Sequence, residues 1–546
     1  MTRPPRGGRS TWPAASRVEC SSVGAMERHV AILRRAGAPA ASLCATKTHG
    51  RAKACQRAHA AGAMSPAATS SSRPRRRSER GAAISRIDHM ANILFFIVHE
   101  VGSLNASFRL ALDLKERGHG VAYAGVADSR ASVEANGFEF ICLFERFFPK
   151  GSIAGLVEPE RPWRLSARLA RNAMFARFID ALVAGADAEV FEAFERAKPD
   201  LVLLSGGRYA EWPALMVHSL GVPAAFLGST LVPRRGSGLP PISSGLIPRP
   251  DGSIWQALRI RAAWTRREIT LALLEGRHAV LTRRLAAKYG VVGYRRDADF
   301  PMEIAVTLPQ IIPFPKCFDF PGYDAPDQYF IEPSISLERN DGGFVSSDIA
   351  DDRPLAYCAL GTYKWRPKRD YLRFFRAVLG AAAASPHRRF VIALGGHVRP
   401  EELGEAPANA RLVDYAPQLQ MLQHADVMIG HAGANSVKEC IFFGVPSVLF
   451  PLGADHPGIA ARARYHGLAV CGDFGTVTSA SMKSLIDDAT TSLFIKAQLR
   501  IMRARFAEAE RSGAGVALIE SLLPRDRRPS GAADAPRALQ LLEADA

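Results

Sequence analysis

Residues 90–126 read MANILFFIVHEVGSLNASFRLALDLKERGHGVAYAGV. Ile93–Val98 is an unbroken apolar run, the pattern of a parallel strand covered on both faces. It ends in the loop His99–Asn105. Phe108, Ala111, Leu112 and Leu114 then recur at helical spacing as far as Gly118, a residue suited to stopping a helix. Val121–Val126 is the next strand. Strand, helix and strand in this order form a β-α-β unit, which predicts a parallel sheet with helices on both faces.

The pattern continues outward from that unit. Leu201–Leu204 reads as a strand after the turn Pro199-Asp200, and a helix through Ala214–Leu220 leads to the strand Ala224–Leu227. A second series follows, with strands at Leu355–Leu360, Phe390–Leu394, Ala410–Val413, Val427–Ile429 and Ser447–Phe450. Its helices are expected at Tyr371–Ala384, Leu419–Ala425, Ser436–Phe443 and Ile459–Tyr465. Seven prolines between Pro301 and Pro333 mark an interdomain linker. The fold class is therefore α/β, with two Rossmann-like domains at 90–310 and 334–523, joined by a Pro-rich linker at 311–333. Residues 524–546 form a polar tail. The stretch Trp255–Tyr289, with Arg259, Arg261, Arg266, Arg267, Arg277, Arg283, Arg284 and Lys288, reads as a pair of solvated helices. The rival reading is a lid or a membrane-surface helix.

Charge excludes one class of partner. The chain of 546 residues carries a formal +17, yet residues 1–89 hold 17 Lys and Arg against 4 Asp and Glu. The other residues hold 53 against 49, so the folded body is near neutral and lacks the basic footprint of a nucleic-acid binder. Residues 1–89 read as a disordered basic extension or an over-long gene start, with Met90 the expected start. Eight cysteines show no C-x-x-C and no zinc spacing, and Cys358 and Cys440 lie in apolar runs as small buried hydrophobes. That usage predicts a reduced, cytoplasmic protein, and no apolar run reaches the ~18–20 residues of a membrane span.

The chemistry concentrates in His431–Glu439, HAGANSVKE, which follows a short strand and opens a helix. Gly433 lets the backbone approach a ligand, and Ser436 would sit among helix N-terminal N–H groups that favour phosphate. The Ser436–Glu439 spacing also fits a capping box. Asp455 and His456 stand at the end of the next strand, where a short carboxylate and a hydrogen-bonding neighbour suit sugar hydroxyls. No G-x-G-x-x-G follows the first strand, so an NAD-dependent Rossmann enzyme is disfavoured.

Taken in order, Tyr415-Ala416-Pro417-Gln418, His431-x-Gly433-x-Asn435-Ser436-x-x-Glu439, Gly444-Val445-Pro446 and Pro451…Asp455-His456…Arg462 resemble the nucleotide-sugar signature of family 1 glycosyltransferases. These are the UDP-glucuronosyltransferase-like, macrolide and plant-product enzymes of GT-B fold. The resemblance implies that 90–310 binds the acceptor and 334–523 the donor. It implies that Tyr415, in place of the usual Trp, stacks on the base, and that Gln418 contacts base or ribose. Glu439 would bond the ribose hydroxyls. His431, Asn435 and Ser436, helped by Thr362, would hold the diphosphate, and Asp455 and His456 would touch the sugar. His456 stands where the family has Gln, and Ile459 where it has Asn, so the sugar stays open.

The acceptor side departs further. Where the family has the histidine that deprotonates the acceptor, this chain has Ser103; where it has the orienting aspartate, this chain has Ser205. A serine hydroxyl is no general base near neutral pH. His99, four residues before Ser103, is the substitute candidate. The expectation is an inverting hexosyltransferase that moves a sugar from a UDP- or dTDP-sugar to a hydroxyl of a lipophilic small molecule or lipid. No cofactor or metal is expected, and contact with the inner face of a membrane is a further expectation. The rival is a nucleotide-sugar-binding pseudoenzyme.

Overall fold

The computed structural model describes residues 90–97, 101–152, 165–205, 211–249, 253–291, 308–339 and 352–529. The basic extension, His99 and the last 17 residues of the tail lie outside them. Two parallel sheets organise the chain. The first contains β1 (Asn92–Phe96), β2 (Gly120–Gly125), β3 (Glu139–Cys142), β4 (Leu201–Ser205), β5 (Ala224–Leu227), β6 (Gln310–Ile312) and β7 (Gln328–Phe330), in the order β3-β2-β1-β4-β5-β6-β7. The second contains β8 (Leu355–Ala359), β9 (Arg389–Ala393), β10 (Ala410–Val413), β11 (Ala425–Gly430), β12 (Ser447–Leu449) and β13 (Ala469–Cys471), in the order β10-β9-β8-β11-β12-β13. Each sheet reverses its winding once, between β1 and β4 and between β8 and β11, and a crevice opens beyond the carboxyl ends at such a point.

Apolar alternation decides which layer each residue fills. Ile93, Phe95, Leu201 and Leu203 join the core on one face of the first sheet, and Leu94, Phe96, Val202 and Leu204 the core on the other. In the second sheet Leu355 and Tyr357 face one layer and Ala356 and Cys358 the other. The helices that cover the sheets are α1 (Val101–Glu116), α2 (Arg130–Ala135), α3 (Leu165–Ala181), α4 (Ala188–Ala197), α5 (Glu211–Ser219) and α6 (Ile254–Lys288) in the first half. The second half has α7 (Lys368–Ala383), α8 (Gln418–His424), α9 (Ala434–Phe443), α10 (His456–Tyr465), α11 (Ser479–Thr491), α12 (Leu493–Ser512) and α13 (Ala514–Leu522). No helix of the described residues is long and apolar enough to cross a membrane.

The structure differs from the sequence reading in four places. The stretch read as a linker contributes β6 and β7 to the first sheet; each strand is three residues long, too short for a periodic signal, and prolines stand just outside both. The expected pair of basic helices is one helix, α6, because nothing between Ile254 and Lys288 breaks it. The expected loop 99–105 is already helical from Val101, so Ser103 sits in the first turn of α1 and is buried. Finally, Ala514, Val516, Leu518 and Ile519 of α13 lie in the core of the first sheet with Leu110 and Leu114, although sequence order put them in the second domain. Gly513, at a φ of +58°, lets the chain turn there.

Gly515 N–H donates to the Glu332 carboxylate at 2.9 Å, which fastens α13 to the first sheet, and burial raises the Glu332 pKa to about 7. Contacts between the halves are direct. Buried Lys438 donates to the Pro313 carbonyl at 2.9 Å, and burial lowers its pKa to about 7. Arg462, fully buried, bonds Asp319 at 2.7 Å and lies over the Phe320 ring, so this residue of the signature has a structural task. The segment after β5 also reaches across: a Cβ on Gly458 would overlap the Ile242 carbonyl oxygen.

Candidate active site

The site forms where the second sheet reverses. β8 ends at Ala359 and runs into Gly361-Thr362; β11 ends at Gly430 and runs into His431-Ala432-Gly433. β12 ends nearby and leads to Asp455-His456. The backbone is held in uncommon conformations here: Ala432 has φ +66° and Ala454 φ +48°, two of the five non-glycine residues with positive φ among the described residues. Such strain persists only where surrounding structure enforces it.

Gly433 is the residue that precedes α9 and adopts extended φ/ψ with no side-chain cap. Helix α9 therefore begins at Ala434, and Ser436 lies inside its first turn rather than at the cap, so the capping-box reading of Ser436–Glu439 does not hold. Amide N–H groups in a first turn have no partner within the helix and present partial positive charge to an anion. The need for glycine is local. A Cβ on Gly433 would come within 2.6 Å of the His431 Nε2, and one on Gly361 within 2.9 Å, so the two glycines make room for one imidazole.

That imidazole is neutral. Burial and the neighbouring His456 lower the His431 pKa to about 3. Burial likewise lowers His456 to about 4, and burial with nearby Lys364 lowers His397 to about 4. The His431 and His456 rings meet edge to face at 4.6 Å, and Trp365 packs on His456 at 5.4 Å. His397 bonds the Gly361 carbonyl at 2.9 Å and stacks on Tyr371. Three uncharged rings thus wall the loop ends, and the His431 Nδ1 has no partner among the described residues. Burial raises the Asp455 pKa, opposed by the Thr230 hydroxyl from the first half of the chain.

Glu439 is buried, and its carboxylate is held at both oxygens. Arg339 Nη1 donates to Oε1 at 3.0 Å, and Gln418 Nε2 donates to Oε2. Gln418 also donates to Ser436 at 3.1 Å, so three residues of the predicted donor set form one cluster. Tyr415 stands three residues before Gln418 with its side chain exposed, and Thr362 is exposed at the opposite loop. Asn435 Nδ2 donates to the Gly102 carbonyl at 2.7 Å, which joins the start of α9 to the first turn of α1. Ser205 ends β4 and is buried.

Sequence reasoning missed Arg339, Trp365, Lys364, His397 and Thr230. Trp365 and Lys364 follow the Gly361-Thr362 turn closely and were open to notice. Arg339 lies 100 residues from its carboxylate partner, and no local pattern announces it.

Residues 376–499 match the family model described as UDP-glucoronosyl and UDP-glucosyl transferase. The matched stretch contains Tyr415, Gln418, the His431–Glu439 run and Asp455-His456. Over that stretch the chain is similar to glycosyltransferases of that family. It is 26% identical over 450 residues to demethyllactenocin mycarosyltransferase of Streptomyces fradiae, which covers 80% of this chain and 87% of that protein. It is 28% identical over 220 residues to the NDP-glycosyltransferase YjiC of Bacillus subtilis, 40% of this chain and about half, 54%, of that protein. The solved structure of a kitacinnamycin glycosyltransferase superposes with a TM-score of 0.61 at 23% identity, covering 80% of this chain and 99% of that one. The likeness in structure is that of the GT-B fold: two Rossmann-like domains.

Proposed function

We propose that this glycosyltransferase takes its sugar from a uridine or thymidine diphosphate sugar and delivers it, with inversion, to a hydroxyl of a lipophilic small molecule or lipid. The observation that carries the donor half of this reading is the single cluster of Gln418, Ser436 and Glu439 beside the first turn of α9. The carboxylate suits a ribose diol, the exposed Tyr415 ring a base, and the helix N-terminus with His431 a diphosphate. Asp455 and His456 are then placed for the sugar. The name of the Streptomyces fradiae relative, a mycarosyltransferase, supports a small-molecule acceptor. Whether the sugar is a hexose or a deoxysugar is what the donor panel below decides.

In the reaction the acceptor oxygen forms a bond to the anomeric carbon. The bond to the diphosphate breaks, and the electron pair leaves with that group. The N–H donors of α9 face the growing negative charge, so this reading asks for no resident metal or cofactor. The acceptor proton needs a destination. Ser103 and Ser205 supply none, and His99, on the chain just before α1, is the residue we assign as base. General-base assistance contributes ~10²–10⁴-fold, so leaving-group stabilisation alone sustains a slow enzyme. The two buried serines favour one second reading, a donor-binding protein without transfer. The compartment is the cytosol on this account, consistent with free Cys142, Cys317, Cys358, Cys440 and Cys471.

Turnover with a panel of UDP- and dTDP-sugars and hydroxylated apolar acceptors tests the proposal. Transfer from at least one pair supports it. Tight nucleotide binding with no transfer from any pair selects the second reading.

A further inference from the structure

Helix α6 buries one side and leaves the other bare. Ile260 and Trp264 face inward; Trp264 is 3% exposed, and its indole N–H reaches the Leu239 carbonyl at 2.9 Å. At 100° per residue, Ile254, Thr265, Leu258, Ile269, Ala262 and Trp255 fall within an arc of about 100°, the width of an apolar stripe. All six are exposed, Ile254 by 72%, Trp255 by 73%, Leu258 by 49% and Ile269 by 55%. A contiguous stripe of large apolar side chains in water is unfavourable unless something covers it.

The charge around the stripe identifies what covers it. Arg261 borders one edge, and Arg259 and Arg266 the other. Among the described residues no carboxylate forms an ion pair with these three. The one acidic residue between Ile254 and Thr270, Glu268, is already bonded by Arg235 at 2.6 Å, and Arg267 lies over the Trp264 ring on the inward side. A second copy docked on the same face would add three more uncompensated guanidinium groups, a juxtaposition that costs free energy. A bilayer with anionic headgroups satisfies both features. Its acyl boundary takes Ile254, Trp255, Leu258 and Ile269, while the arginines on both edges meet phosphate, which is how an amphipathic helix lies in a membrane interface.

We propose that the bare face of α6, from Ile254 to Ile269, is a docking surface for an anionic lipid bilayer. This goes beyond the donor reading and does not depend on it. It would bring the acceptor half of the enzyme to the phase in which lipophilic hydroxyl compounds collect.

Co-sedimentation of the full-length chain with phosphatidylcholine vesicles, with and without phosphatidylglycerol, tests it. The wild type should bind the phosphatidylglycerol vesicles at least ~10-fold more tightly than the neutral ones. The Trp255→Ser/Leu258→Glu variant should lose at least ~10-fold of that binding. Its melting temperature should stay unchanged, because both side chains are on the surface. A blue shift of tryptophan emission on the anionic vesicles should disappear in Trp255→Phe. Three results overturn the proposal. The first is no binding to either vesicle. The second is equal binding by variant and wild type, which would assign the contact to the basic residues of 1–89. The third is a dimer in sedimentation velocity that the variant abolishes, without vesicle binding, which would make the occupant a second copy.

Discussion

At the carboxyl ends of β8 and β11 the second sheet presents His431 and a glycine-framed turn into α9, with His397 brought in from the loop after β9 and Glu439 held behind. At the corresponding ends of β1 and β4 the first sheet presents Ser103 and Ser205, both buried. The first six strands of the first sheet follow the same order as the six of the second, so these are equivalent positions of one architecture. The fold supplies a crevice twice, and among the described residues only the second gathers buried imidazoles and a glycine-framed helix start. A shared topology therefore does not imply a shared task, and each site has to be argued from its own residues.

The largest expected effect probes the poorer half. His99→Ala should cut turnover by ~10²-fold or more while UDP affinity stays unchanged. Unchanged turnover in an active enzyme would remove His99 from its role and leave the acceptor to ionise unaided. Next comes the seam where the first half of the chain reaches the second. Gly458→Ala forces the segment around Ile242 away and should cost about 1–3 kcal/mol, read as a lower denaturant midpoint. A midpoint equal to that of wild type would show that this segment moves without penalty.

Gly433→Ala tests the imidazole niche. The added methyl group meets the His431 ring and should weaken UDP binding by roughly an order of magnitude, about 1.4 kcal/mol, with the melting temperature little altered. The smallest effect is the pH dependence of the richer half. His397, His431 and His456 are neutral when folded, with pKa values lowered to about 4, 3 and 4 from 6.5. Below 6.5 the unfolded chain takes up protons that the folded chain refuses, so stability falls as pH drops from 6.5 through 4. Glu332, raised to about 7, works the other way between 4.5 and 7 and reduces the slope. Urea titrations at several pH values should show that His397→Gln flattens the dependence.

What was legible in the sequence follows the range of the interactions. The parallel strands announce themselves because burial on both faces demands unbroken apolar runs such as Ile93–Val98, and the donor cluster is legible because the turn into α9 and its carboxylate lie within nine residues. Partners brought in by folding are not. Arg339 reaches Glu439, Thr230 faces Asp455, and Asn435 bonds Gly102, each across 100 residues or more. The return of α13 to the first sheet is similarly hidden, since its Leu and Ile pattern fits either core.

The central claim is that the cluster around Glu439 and His431 holds the nucleotide diphosphate. Isothermal titration of the full-length chain with UDP and with dTDP measures this directly. Glu439→Ala and His431→Ala should each weaken binding of the preferred nucleotide at least ~10-fold, about 1.4 kcal/mol. Affinity unchanged in both variants would contradict the account and place the nucleotide elsewhere.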